Sequence, residues 1–269
     1  MKSKSTSKKT KKSTQTIRPV RPNAGVEAWY RKELDKLIRE MQKSMVYWLA
    51  ANYKASGAAV AMDASPAVFM REAMRKLARR WQKRFDDIAA KLAQRFTSDA
   101  MKNSDVSLYN ALESAGLTVE FKMTPAMNNA FQATITENVN LIKSIPEQYL
   151  TQVEGLVMRS VSRGRDLAYL TDELEKRYGI TRRRAALIAR DQNAKATSVM
   201  QTARQQSLGI TKGIWRHSHA GKEPRPSHVK ADGKEFDLSK GMYLDGEWLL
   251  PGEAINCRCT WSPVIPGLN

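Results

Sequence analysis

Only two cysteines occur in this 269-residue chain, Cys257 and Cys259, so close together that they cannot form a disulfide framework. The expectation is a protein made in a reducing cytoplasm. Apolar runs fall far short of the roughly 18 residues that suggest a membrane span. The basic start MKSKSTSKKTKKS has no apolar segment behind it, so no secretory signal is expected. Also missing are a Walker loop, GxGxxG, GxSxG and HExxH. Acids such as Glu223, Asp232, Asp237 and Glu253 show no two-metal nuclease spacing, and turn chemistry or surface charge explains them. No catalytic residue and no small-molecule substrate are expected.

Acid is scarce relative to base. The chain holds 45 Lys and Arg against 27 Asp and Glu, a net charge of +18. Residues 1–22 contribute +8 of this with no acid, and the remainder contributes +10. A surplus of this size favours polyanions, because each neutralised phosphate releases counterions. A merely solvated basic surface is the plainer alternative. The Lys-, Ser- and Thr-rich segment 1–22 buries too little to offset chain entropy and reads as a disordered basic arm. Its Lys8, Lys9, Lys11 and Lys12 are candidate contacts to double-stranded DNA, of a kind that reads no sequence.

What is abundant is helical periodicity. Trp29, Leu34, Leu37, Ile38, Met41 and Met45 recur at three- and four-residue spacing between Glu27 and about Tyr53. Ser65-Pro66 offers an N-cap and first-turn proline. Behind it, Met70, Met74, Leu77, Trp81, Phe85, Ile88, Leu92 and Phe96 form one apolar stripe that predicts a core-facing helix. The other faces carry Arg71, Arg75, Lys76, Arg79, Arg80, Lys83 and Arg84. Of these, Arg75, Arg79, Arg80 and Lys83 are further DNA-contact candidates. A short helix over Ser104–Ala115 closed by Gly116 and a brief strand over Thr118–Met123 follow. Thr124-Pro125 starts a helix to about Ile145. Pro146 breaks or restarts it, and apolar positions continue to Gly164. Asp166 can cap a helix Leu167–Tyr178 ended by Gly179, and Thr181 one that runs to about Leu208, stopped by Gly209.

YGITRRRAALIARDQNAKA at 178–196 has the glycine turn and basic start of a helix-turn-helix. The simpler reading places Arg182, Arg183 and Arg184 in an exposed first turn, with Ala185, Ile188 and Ala189 packed inward.

After Gly209 the character changes. Ile210–Trp215 and Cys257–Trp261 read as strands, and Asp232-Gly233 and Asp245-Gly246 as type I′ hairpin turns. The expected fold class is therefore α+β and predominantly α-helical. A long helical body precedes a small β-rich C-terminal region with hairpins. Its parts are a basic arm at 1–22, helical regions at 23–123 and 124–209, and the β-rich part at 210–269.

That last part gathers all three histidines, His217, His219 and His228, with both cysteines. Residues two apart on a strand share a face, so Cys257 and Cys259 should point together. Thiolates with imidazoles opposite can satisfy a tetrahedral zinc ion, and the preferred set is His217, His228, Cys257 and Cys259. Reduced, packed cysteines with carbonyl-bonded histidines are the alternative. A structural zinc is the one cofactor the residues suggest. A Cys–His nucleophile pair is conceivable, but activation needs an electropositive pocket.

Four stretches in order carry a family resemblance: ENVNLIKSIPEQYL at 137–150, RAALIARDQ at 184–192, GIWRHSHAGKEPRPSHVKADGKEF at 213–236 and PGEAINCRC at 251–259. Together they resemble the Mu F-like family of phage head-morphogenesis proteins over roughly residues 124–265. The family's motif falls on Arg190, Asp191, Trp215, Arg225, Pro226, His228, Gly233, Phe236, Asn256, Cys257, Arg258 and Cys259. Many relatives have a CxxC where this chain has Arg225 to His228, so a metal here needs His217 as a substitute ligand. The resemblance implies a minor head protein of the virion, present in the host cytoplasm during assembly. It further implies portal and capsid proteins as partners, with no membrane partner. The alternatives are a general DNA-binding protein of nucleoid or helix-turn-helix type and an enzyme acting on DNA or protein through the Cys/His cluster.

Overall fold

A computed structural model describes residues 15–60, 66–162, 167–221 and 223–265. The cap expected at Ser65 and the lysines at 8–12 lie outside them. Four long helices, α1 (Ala24–Val60), α2 (Pro66–Glu113), α3 (Pro125–Ser162) and α4 (Leu167–Ser207), form the body. Then come β1 (Lys212–Arg216), a short α5 (Pro226–Ala231), β2 (Glu235–Asp237), β3 (Met242–Leu244), β4 (Glu247–Leu249) and β5 (Thr260–Val264). The fold is α+β and predominantly helical, as the periodicity predicts.

Local chemistry sets the boundaries. Asn23 caps α1, its side-chain oxygen accepting the N–H groups of Gly25 at 2.8 Å and Val26 at 3.1 Å. Thr124 does the same for Met127 ahead of Pro125. Gly116 and Gly209, with φ of 79° and 78°, terminate α2 and α4 in left-handed conformations. In each case the following residue's N–H reaches a carbonyl five positions back, Leu117 to Leu112 and Ile210 to Gln205.

Three expected breaks do not occur. α2 runs unbroken from Pro66 to Glu113, absorbing the separate helix expected at Ser104–Ala115. α3 passes through Pro146, which is buried in the bundle. α4 passes through Gly179, so the segment 178–196 is not a helix-turn-helix. Glycine inside a helix costs about 1 kcal/mol, and here Leu170, Leu174, Ala185, Ile188 and Ala189, all buried on either side of it, outweigh that. Residues 118–123 form no strand. Instead the Lys122 carbonyl accepts a hydrogen bond from the Arg204 guanidinium, which also lies over the Phe121 ring.

The main core fills the four-helix body, with Tyr30, Leu34, Ile38, Met70, Phe85, Phe96, Ile142, Tyr149 and Val153 inside. Leu108, Ala111 and Leu112 at the far end of α2 belong to a second core instead, shared with Trp215, Phe236 and Trp261. That core supports an antiparallel sheet of order β2-β1-β5. Residues 15–22 are not part of a free arm. Thr16 bridges Val264, the Ile17 N–H bonds the Pro263 carbonyl, and Ile17 and Val20 are buried in the second core. This segment thus flanks β5, protecting a sheet edge.

Only one of the two Asp-Gly pairs makes a hairpin. Asp245 and Gly246 both have positive φ, 53° and 92°, as a type I′ turn between β3 and β4 requires. Asp232 has φ −53° and ψ 132° ahead of Gly233 at 76°. That is a type II turn carrying the chain from α5 into β2.

Candidate metal centre

Cys257 and Cys259 lie in the extended segment before β5 rather than within a strand. They still alternate with an exposed Arg258 between them, so both thiols turn inward. α5 brings His228 to the same point. Its Nδ1 is 3.5 Å from Cys257 Sγ and 3.7 Å from Cys259 Sγ. All three side chains are buried, and their candidate ligand atoms lie within 4.8 Å of one another.

The donor set fits zinc. With Zn–S near 2.3 Å and Zn–N near 2.05 Å, the S···N edge of a tetrahedron is about 3.6 Å. The two observed edges are within about 0.1 Å of this. Trp215, fully buried, sets its ring at 88° to that of His228 with centroids 5.4 Å apart, which holds the imidazole plane. His228 Nε2 is buried and has no hydrogen-bond partner among the described residues.

The sulfurs are supported by backbone. The backbone N–H groups of Cys259 and Gly252 favour the ionised Cys257 thiol, and that of Ser218 favours the ionised Cys259 thiol. The hydrogen bond from the Cys259 thiol is the largest cause that brings the Cys257 thiol down to about 5, with those N–H groups and His228 adding to it. The same bond, with burial, holds the Cys259 thiol above its usual value. The pair therefore gives up one proton readily and the second only against a nearby positive charge, such as a metal ion.

His217 is not in this group. Its ring packs against His219, its backbone N–H bonds Asp232, and His219 Nε2 lies 3.6 Å from the same carboxylate. It does line a cleft of about 480 Å³ that also includes Glu223, Arg225, Arg258 and the three clustered residues. The three clustered side chains thus border a polar cleft, from which any further ligand to a bound ion would have to come.

The remaining motif positions brace this centre. Trp215, Phe236 and Trp261 stack edge to face, with centroids 5.9 and 6.2 Å apart. Arg225 donates to the Ile255 carbonyl at 2.9 Å, and Pro226 begins α5. The Gly233 N–H bonds the Trp215 carbonyl. Asp191 on α4 accepts the Asn256 N–H at 2.7 Å. Arg190 and Arg258 line a neighbouring surface cleft with Arg216 and His217. The DNA-contact candidates Arg75, Arg79, Arg80 and Lys83 are exposed on α2, outside the His/Cys cluster, and Lys83 pairs with Asp87 at 3.2 Å.

Among the described residues no helix is long and apolar enough to cross a membrane. An uncharacterized protein of Haemophilus influenzae strain Rd is 30% identical over 258 residues, which covers 93% of this chain. The similarity therefore extends into α1 and α2. The chain spans about half, 55%, of that relative's length. No solved structure matches. Residues 151–262, from the last third of α3 into β5, match the family described as Phage Mu protein F like protein. This part of the chain, which contains the whole His/Cys centre, is similar to the Phage Mu protein F like family.

Proposed function

We propose that the protein acts in phage head morphogenesis as a structural component of the head, and that it is not an enzyme. The observation that carries this is the Mu F-like match over residues 151–262, across α4 and into β5. In that region the motif residues brace one another and the second core. Several conspicuous side chains there have structural partners: Asp191 with the Asn256 N–H, Arg225 with the Ile255 carbonyl, and the Trp215 ring with those of His228 and Phe236.

In this reading the centre is a structural clamp. His228, Cys257 and Cys259 would hold zinc, and His217 or water from the cleft would complete it. Bound zinc would supply cross-linking, joining α5 to the segment before β5 in a part of the chain with a small core. The protein would sit with portal and capsid proteins, inside the virion head and in the host cytoplasm during assembly. It would contact packaged double-stranded DNA without sequence preference. The net charge of +18 and the exposed Arg75, Arg79 and Arg80 support that contact.

Deletion of the gene, followed by electron microscopy of lysates, tests the proposal. Aberrant or missing heads, restored by the wild-type gene supplied in trans, are expected. Normal, infectious heads without it would overturn the reading.

A further inference from the structure

The molecule carries two opposed surface features at opposite ends. The β3–β4 hairpin packs the half-buried Met242 and Leu244 against the second core and turns the cross-strand pair Tyr243 and Trp248 outward. Each of these two is 60% exposed, and their ring centroids are 5.6 Å apart. Around them the chain is acidic. Residues 235–253 hold five acids, Glu235, Asp237, Asp245, Glu247 and Glu253, against Lys240 alone, in a protein that is otherwise strongly basic.

At the other end, α1 and α2 leave a groove of about 310 Å³ between them. Trp48, Phe69, Ala73 and Leu77 give it an apolar lining, with Lys76 and Arg80 beside them. Trp48 remains 43% exposed. Residues 66–84 of α2 hold seven bases and one acid, Glu72.

We propose that the hairpin of one copy docks in the α1–α2 groove of a second copy, so that the chain associates head to tail. Apolar character and charge are complementary: an aromatic knob flanked by Asp245 and Glu247 meets an apolar groove where Lys76 and Arg80 outnumber Glu72. The chain cannot satisfy its own groove. Phe69 and Leu108 are 39 residues apart on one helix, which is about 58 Å at 1.5 Å per residue, and Leu108 already lies in the core beneath the sheet. The contact is heterologous, so each copy keeps one free knob or one free groove and association continues unless a ring closes.

The test uses full-length, nuclease-treated protein in analytical ultracentrifugation at low and high salt. Species larger than monomer that grow with concentration and shrink with salt are expected. A knob variant, Tyr243→Ser with Trp248→Ser, and a groove variant, Lys76→Glu with Arg80→Glu, should each lose association while keeping the wild-type circular dichroism and melting temperature. Mixed together they should give a 1:1 dimer and nothing larger, since one intact knob and one intact groove remain. Glu247→Lys should weaken wild-type association and leave folding unchanged. A wild-type protein that stays monomeric overturns the proposal. So do variants that associate as tightly as wild type, or a mixture that remains monomeric.

Discussion

Asn256 donates its backbone N–H to the Asp191 carboxylate at 2.7 Å, across 65 residues of sequence. This bond ties the turn that presents Cys257 to the middle of α4. Asp191 is itself held by Lys195 at 3.5 Å. Because Asn256 has φ 60°, its backbone is left-handed, a conformation asparagine tolerates better than most residues.

The first prediction concerns that tie. Asp191→Ala should cost about 1.5–3 kcal/mol, the range for a hydrogen bond to a charged group, and lower the melting temperature. Asn256→Gly should be close to neutral, whereas Asn256→Val should be clearly destabilising. Thermal melts of the three variants check this, and equal stability in all would mean that the bond holds nothing in place.

The second concerns the metal. Purified wild-type protein should carry about one zinc per chain, and His228→Ala and Cys257→Ser should each lose it. Chelation should raise hydrogen exchange in residues 213–264 and leave α1 protected. His217→Ala should retain metal if water completes the site and lose affinity if the imidazole does. Zinc-free wild-type protein with the same exchange pattern would sink the clamp.

A third follows from close packing. A Cβ on Gly213 would lie 2.6 Å from Trp261 Cδ1 and 3.2 Å from Phe236 Cε1. Gly213→Ala should therefore destabilise by about 1–3 kcal/mol through overpacking. Gly246→Ala meets no neighbour within 4 Å and carries only the penalty of its φ of 92°. Denaturant titration of both should rank Gly213→Ala as the more costly.

The buried phenols give a pH prediction. Burial raises the pKa of both Tyr30 and Tyr149, whose hydroxyls donate to Asn138 and Gln42. A folded value above the unfolded one means that the folded state keeps protons the unfolded chain gives up. Their contribution is complete below about pH 10, the unfolded tyrosine value, and falls as pH rises beyond it. Stability measured above pH 10 should decline, and Tyr30→Phe should flatten part of that decline.

Much of this architecture is legible in the sequence, and the failures have physical causes. The stripe from Met70 to Phe96 identifies the core face of α2, because apolar residues stepping by three and four align on one side of a helix and scatter over both faces of a strand. Punctuation residues are less reliable. Gly179 and Pro146 look like breaks, but neighbouring apolar residues buried in the bundle outweigh the local cost at both. Ile17 and Val20 are hidden in a basic, polar stretch, and their burial depends on a sheet edge formed more than 240 residues later. At the His/Cys cluster, the i, i+2 spacing does bring Cys257 and Cys259 to one side. That His228 joins them while His217, named in the same set, does not depends on where α5 lies, which spacing alone does not encode.

Quantitative mass spectrometry of purified proheads and filled heads tests the central claim most directly. A head component should be present at a fixed number of copies per portal ring in proheads, with peptides from both α2 and the C-terminal sheet. Complete, stable proheads that lack the chain at every stage of assembly would contradict the account.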